Sequence, residues 1–154
     1  MHLPQELIVF FISMSPISEL RGAIPIAISL YHFSWLKAFI ISFLGNIIII
    51  IPIIWFLERF SEFLMVKSKI FHKFFTWLFN RTRKKINTHY EKYRNLALLI
   101  FVAIPLPMTG AWTGSVAAYL LGVSKKESFI YISLGVLVAA IIVTTLTLLG
   151  IKWF

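Results

Sequence analysis

Cysteine is absent from this chain of 154 residues, which excludes disulfides and thiolate metal sites and leaves the redox compartment open. Acids are scarce, six against fifteen lysines and arginines, for a net charge of +9. The N-terminal stretch MHLPQELIVFF lacks the basic n-region and cleavage site of a signal peptide, so it reads as part of the mature protein. Charge of either sign is missing from residues 38–57, AFIISFLGNIIIIIPIIWFL, and from 128–151, SFIYISLGVLVAAIIVTTLTLLGI. Each run reaches the ~20 apolar residues that a spanning helix needs. What is present agrees with these absences. Some 59% of residues are hydrophobic and the mean hydropathy is +0.87, more apolar surface than a soluble domain of this size buries. The chain reads as an all-α integral membrane protein, multi-pass, of the plasma membrane.

The charge is not spread evenly. Residues 58–95 hold ten of the fifteen basic residues against Glu58, Glu62 and Glu91, and so carry +7 of the +9. Beside a span, such a loop is a topology signal that places it in the cytoplasm, and it does not imply nucleic acid. Phe60, Phe63, Leu64, Ile70, Phe71, Phe74, Phe75 and Leu78 fall on one helical stripe of this loop, with Ser61, Glu62, Ser68, Lys69, His72, Lys73, Thr76 and Asn80 on the other. A basic amphipathic helix of this kind lies in the headgroup layer. Arg81, Arg83, Lys84 and Lys85 follow as a polybasic cluster for anionic lipid headgroups, each worth ~1 kcal/mol near an anionic leaflet. Orientation and anchoring are the expected role.

Three parts result: a first membrane unit at 1–57, the basic connector at 58–95 and a second membrane unit at 96–154. With the connector and SKKE (124–127) both cytoplasmic, residues 96–123 start and finish on the same side. Two full crossings need ~40 residues, and only 28 are available. A hairpin that dips in and returns fits, with its tip near Pro105–Gly110. Residues 3–31 pose the same problem, being apolar at both ends and broken at Ser15, Pro16, Ser18, Glu19, Arg21, Gly22 and Pro25. The expected architecture is two inverted repeats, each a re-entrant hairpin (3–31, 96–123) plus a transmembrane helix (38–57, 128–151). An offset of 90 residues matches Ala27 with Ala117, Ser34 with Ser124, Phe39 with Phe129 and Gly45 with Gly135. The alternative is four or five ordinary helices with short loops.

Chemistry concentrates at the two breaks. Glu19 and Arg21 interrupt an apolar region, where an unpaired charge near the centre of a spanning helix costs ~2.5–3.5 kcal/mol on insertion scales. Pro16, Gly22 and Pro25 favour unwinding there, and broken backbone at membrane depth is tolerated only inside protein or against a wet cavity. Arg21 is then the candidate anchor for a phosphate or carboxylate, and Glu19 the candidate proton carrier. The alternative is a short outer loop at the water interface. In the second half Pro105, Pro107 and Gly110 mark the break, Thr109, Thr113 and Ser115 add hydroxyls, and Trp112 either walls the site or sits at an interface. Gly110, Gly114, Ala118 and Gly122 form a small-residue stripe, expected to serve close helix packing. Asn46 and Pro52 are expected to bond or kink locally. His32 and His89 lack a partner spacing for a metal. No metal, no cofactor and no enzyme activity is expected.

ISELRGAIPIAI (17–28) and PLPMTGAWTGSVAAYLLG (105–122) resemble the paired signatures of the bacterial and archaeal small multi-drug export protein family. The likeness covers most of the chain. Met108 departs from it, standing where the resemblance implies Gly in a Pro-Gly-Thr-Gly turn. More distantly the layout is similar to the DedA/VTT group, which implies two inward-dipping hairpins and lipid flipping or scrambling, with polyprenyl-phosphate carriers among the substrates. The expected function is therefore a transporter, exporter or lipid-carrier flippase for a small amphiphilic or phosphate-bearing substrate, with or without ion coupling and working as a homodimer. A non-transporting membrane scaffold acting through its basic connector is the alternative. Buried charges against a cavity favour the first, exposed interfacial charges the second.

Overall fold

Proline sets several of the helix boundaries in this chain, because it removes a backbone donor and pushes the residue before it out of the helical region. The computed structural model describes residues 4–67, 72–73, 76–77, 80, 88–106 and 109–153, and all regular structure among them is helical. Helix α1 (Gln5–Met14) stops just before Ser15-Pro16, and α2 (Glu19–Ser29) resumes after a four-residue break. Ser34 starts α3 (Trp35–Ile48) by accepting the Lys37 amide on its hydroxyl at 3.4 Å. Pro52 leaves the Ile48 carbonyl without its helical donor, and the chain breaks at Ile49 before α4 (Ile50–Lys67). In the second half α5 (Thr88–Ala103) ends two residues before Pro105. A short α6 (Ala111–Leu120) follows, and Gly122, at φ 67°, turns the chain into α7 (Lys125–Trp153).

Two helical runs, Trp35–Lys67 and Lys125–Gly150, are long and apolar enough to cross a membrane. The first runs on past Leu57 into the basic stretch. There Phe60 and Phe63 face outwards while Ser61 turns in, its hydroxyl bonded to that of Tyr119 on α6. The rest of the expected amphipathic helix, including Arg81, Arg83, Lys84 and Lys85, lies outside the described residues apart from isolated positions.

In the first half α1, α2 and α3 pack on one another, burying Val9, Ala23, Ala27 and Ala38. In the second half α5, α6 and α7 do the same, with α7 also against α2, α3 and α4, and α6 against α4. Leu20, Ile24, Ile50, Ile54, Leu98, Val102, Ile132 and Val136 form the larger core between the halves. Two glycines let one helix come close against the backbone of another. A Cβ on Gly45 would meet Ser13 and sit 2.7 Å from the Phe10 carbonyl of α1, and one on Gly135 would sit 2.8 Å from the Leu99 carbonyl of α5. The outer surface is apolar: Phe11, Leu44, Ile48, Trp55, Phe56, Ile100, Ile141, Leu146 and Leu149 all stand exposed. A water-facing surface rarely carries such a girdle, and lipid accepts it. The molecule is an all-helical membrane protein.

Candidate functional site

The two helix breaks meet. Around the first, Ser15 donates its hydroxyl to Ile12 O at 2.9 Å and lies 2.7 Å from the Ser18 hydroxyl, which knits the turn. Glu19 then opens α2 with φ 47°, a left-handed backbone that costs a non-glycine residue about 1–3 kcal/mol. That conformation turns its carboxylate, only 6% exposed with the residue, towards the start of α6. The amide of Trp112 donates to Glu19 Oε1 at 3.4 Å, and Gly110 lies so close that any Cβ there would collide with the carboxylate. An anion at a helix N-terminus meets free amides and the positive end of the dipole, so Glu19 does for α6 what a capping side chain does from within.

Arg21 makes the complementary contact. Its guanidinium donates to the carbonyls of Leu106 and Thr109, the latter at 2.6 Å, and to Thr109 Oγ1 at 3.1 Å. These carbonyls belong to the loop between α5 and α6, outside any helix, where a guanidinium fork can satisfy several at once. Arg21 also lies 3.7 Å from Glu19 Oε2. Glu19 is thus met by an amide at the start of α6, and Arg21 by carbonyls of the loop that leads into it.

The remaining residues separate into roles. Trp112 donates its indole N–H to Met14 O at 2.8 Å, pinning the start of α6 to the end of α1. Thr109 Oγ1 lies 2.6 Å from Ile104 O and 2.8 Å from Leu106 O, and so shapes the second break. Thr113 accepts the Gly110 amide at 3.0 Å, and Ser115, fully buried, donates to Ala111 O at 2.6 Å; both are spent within their own helix. Gly22 and Pro25 do not mark the break. They lie inside α2, where the Gly22 amide still bonds Ser18 O at 2.9 Å, so the unwinding is confined to Ser15–Ser18 around Pro16. Pro107 and Met108 lie outside the described residues. Of the small-residue stripe, Gly114 abuts Val102 of α5 and Ala118 is fully buried, whereas Gly110 faces Glu19 and Gly122 forms a turn.

Beside this junction lies an open cavity of about 740 Å³, lined by Arg21, Pro25 and Ser29 of α2, Pro105, and Val143, Leu146, Thr147 and Gly150 of α7. Arg21 supplies its charge, and most of the wall is apolar.

The family model described as "Putative small multi-drug export protein" matches residues 19–142, starting on the first of these charges and ending in α7. The chain belongs to this family. No curated protein and no solved structure matches it. Within this chain, the two stretches that carry the family resemblance are the two that touch, through Glu19, Arg21, Thr109 and Trp112.

Contacts that sequence reasoning missed lie at the outer ends of the helices. Lys37 pairs with Glu6 at 2.6 Å, and Glu127 pairs with Arg94 at 3.8 Å while accepting from Asn95 at 3.2 Å. A half-buried charged pocket of about 290 Å³ is lined by Trp55, Glu58, Arg59, Glu62 and Lys125, with Lys125 and Glu58 2.6 Å apart. Among the described residues no cluster of His, Asp or Glu has the makings of a metal site.

Proposed function

We propose that this protein is a membrane transporter for a small amphiphilic substrate with an anionic, phosphate-like head, and that the substrate passes the junction of two dipping helix breaks. The observation that carries the reading is the position of Arg21, held at that junction and also forming the polar wall of the 740 Å³ cavity. A volume in the ~300–1,000 Å³ range suits a small ligand. One cation on an apolar wall matches an anionic head with an apolar tail. The family's export description agrees with a transport role.

Several features support inverted repeats. Helices α1, α2 and α6 have 10, 11 and 10 residues. At 1.5 Å per residue such helices reach about half of a ~30 Å hydrocarbon core. Ser34 and Ser124 each cap the long run that follows, accepting amides at 3.4 and 3.3 Å. Gly45 and Gly135 each lie against a carbonyl of their half's first helix. The Lys37–Glu6 pair has its counterpart in Glu127–Arg94, with the charges exchanged. Helix α2 packs on α7, sharing a core with Ala139, Ala140 and Val143, as α6 packs on α4. Transporters built this way hold substrate near the midplane between broken helices. The positive-inside rule then puts the basic stretch and the start of α7 in the cytoplasm.

Reconstitution tests the reading. Vesicles containing the protein are expected to move a polyprenyl phosphate faster than protein-free vesicles, and a permanently cationic dye no faster. Glu19→Gln, with insertion unchanged, should reduce that flux at least about tenfold. Flux of the dye alone, or full flux in the variant, would refute the anionic site, and no flux of either would favour the scaffold.

A further inference from the structure

A second polar cluster lies where α1 ends against α3. Ser13 and Ser42 are fully buried and Asn46 is 1% exposed. Ser42, Gly45 and Asn46 share one stripe of α3, and that stripe faces α1. Gly45 abuts Ser13 and the Phe10 carbonyl, and the Asn46 amide donates to Ser13 O at 2.9 Å. The two side-chain oxygens Ser42 Oγ and Asn46 Oδ1 have no hydrogen-bond partner among the described residues; the hydroxyls of Ser133 and Thr144 on α7 share that state, but only Ser42 and Asn46 lie one helical turn apart on one stripe. An unsatisfied buried acceptor costs about 1–3 kcal/mol, so a pair of them needs a reason.

Packing is not that reason, because the second half provides an internal control. At the 90-residue offset Ser13, Ser42 and Asn46 correspond to Ala103, Ile132 and Val136, all buried and all apolar. The same close approach is made there, with Gly135 against the Leu99 carbonyl. At these three positions the second helix pair therefore closes on apolar side chains, its Asn95–Glu127 contact lying nearer the start of α7. The first half alone carries polar side chains there, at the C-terminal end of a half-length helix.

We propose that Ser13, Ser42 and Asn46, together with the carbonyl end of α1, form a binding site for a small monovalent cation of the sodium type. The amide oxygen of Asn46 accepts and cannot donate. The last two carbonyls of α1 each take a side-chain donor, Ser13 O from Asn46 and Met14 O from Trp112, which leaves each a second lone pair beside the negative end of the dipole. Both favour a positive ligand. The three side chains bring only neutral oxygens, whereas calcium and magnesium sites rely on carboxylates. Hydroxyls, amide oxygens and half-helix C-termini are the donors by which discontinuous-helix transporters hold a coupling ion.

The site also connects to the charged junction. Asn46 holds Ser13 O, and the next carbonyl, Met14 O, takes the indole N–H of Trp112, whose amide is on Glu19. A cation that fixes the end of α1 thereby fixes the contact between the two breaks. This coupling role rests on the transport reading. Binding itself does not.

The test is direct binding of radioactive sodium to the full-length protein in detergent, alongside the double variant Ser42→Ile with Asn46→Val, which copies the second half. The wild type should show saturable binding, competed by unlabelled sodium and not by choline. The double variant should lose at least about tenfold in affinity while keeping its helix content. Should that variant fail to fold, Ser42→Ala gives the same comparison with a smaller perturbation. Absence of saturable binding by the wild type would overturn the proposal and leave a buried water as the occupant, as would equal binding by a folded variant. Saturable binding with vesicle flux indifferent to sodium would instead refute the coupling and leave the site standing.

Discussion

Arg21→Ala should abolish transport in reconstituted vesicles and also lower the melting temperature, whereas Arg21→Lys should restore stability better than flux. The guanidinium reaches three acceptors on the second break at once, the carbonyls of Leu106 and Thr109 and the Thr109 hydroxyl. Truncation strands these groups and leaves the buried Glu19 carboxylate without its cation. Breaking a buried pair from one side typically costs about 3–5 kcal/mol. Lysine returns the charge but not the planar fork, so it can hold fewer of the carbonyls in register. Flux should fall at least about tenfold in Arg21→Ala and be recovered only in part by lysine. Equal flux in all three proteins would show that the cavity's one cation does not meet the substrate.

Gly110→Val should be nearly as damaging, although it adds only apolar atoms and removes no charge. A Cβ at this position collides with the Glu19 carboxylate, which is held by the Trp112 amide and by the chain's left-handed turn at Glu19. Overpacking alone costs about 1–3 kcal/mol, and displacing the carboxylate removes the cap on α6 as well. The expected result is a lower melting temperature and loss of flux. Gly150→Ala is the control for stability, since a Cβ there meets nothing within 4 Å and alanine suits a helix better than glycine, so its melting temperature should not fall. An unaltered melting temperature in Gly110→Val would mean that the two breaks are not in contact.

Much of the site was legible in the sequence because lipid makes charge conspicuous. Glu19 and Arg21 stand out in an apolar stretch, and Pro16 and Pro105 mark the two places where helices stop. What each charge touches was not legible. Their partners are backbone amides and carbonyls 85 or more residues away, and backbone groups leave no trace in residue identity. Pro25 misled because a helix can carry proline when neighbouring groups absorb the lost bond, and α2 is packed on three sides by α1, α3 and α7. Asn46 was expected to bond locally, and its bond goes instead to the end of another helix. Only a spatial neighbour could have revealed that. The pairs Lys37–Glu6 and Glu127–Arg94 were hidden for the same reason, since each joins residues about 30 apart whose charges look like ordinary helix flanks.

Transport through the junction requires both breaks to lie inside the membrane, and depth measurement tests that most directly. The natural lack of cysteine permits single spin labels at Ile17 and Leu106 without background. These apolar side chains at the two tips are 96% and 56% exposed, surfaces suited to acyl chains. Labels at both positions, in liposomes, should be relaxed efficiently by oxygen and poorly by a water-soluble nickel chelate, as expected near the bilayer midplane. Free access of the nickel chelate to either label would place that tip in water and contradict the account.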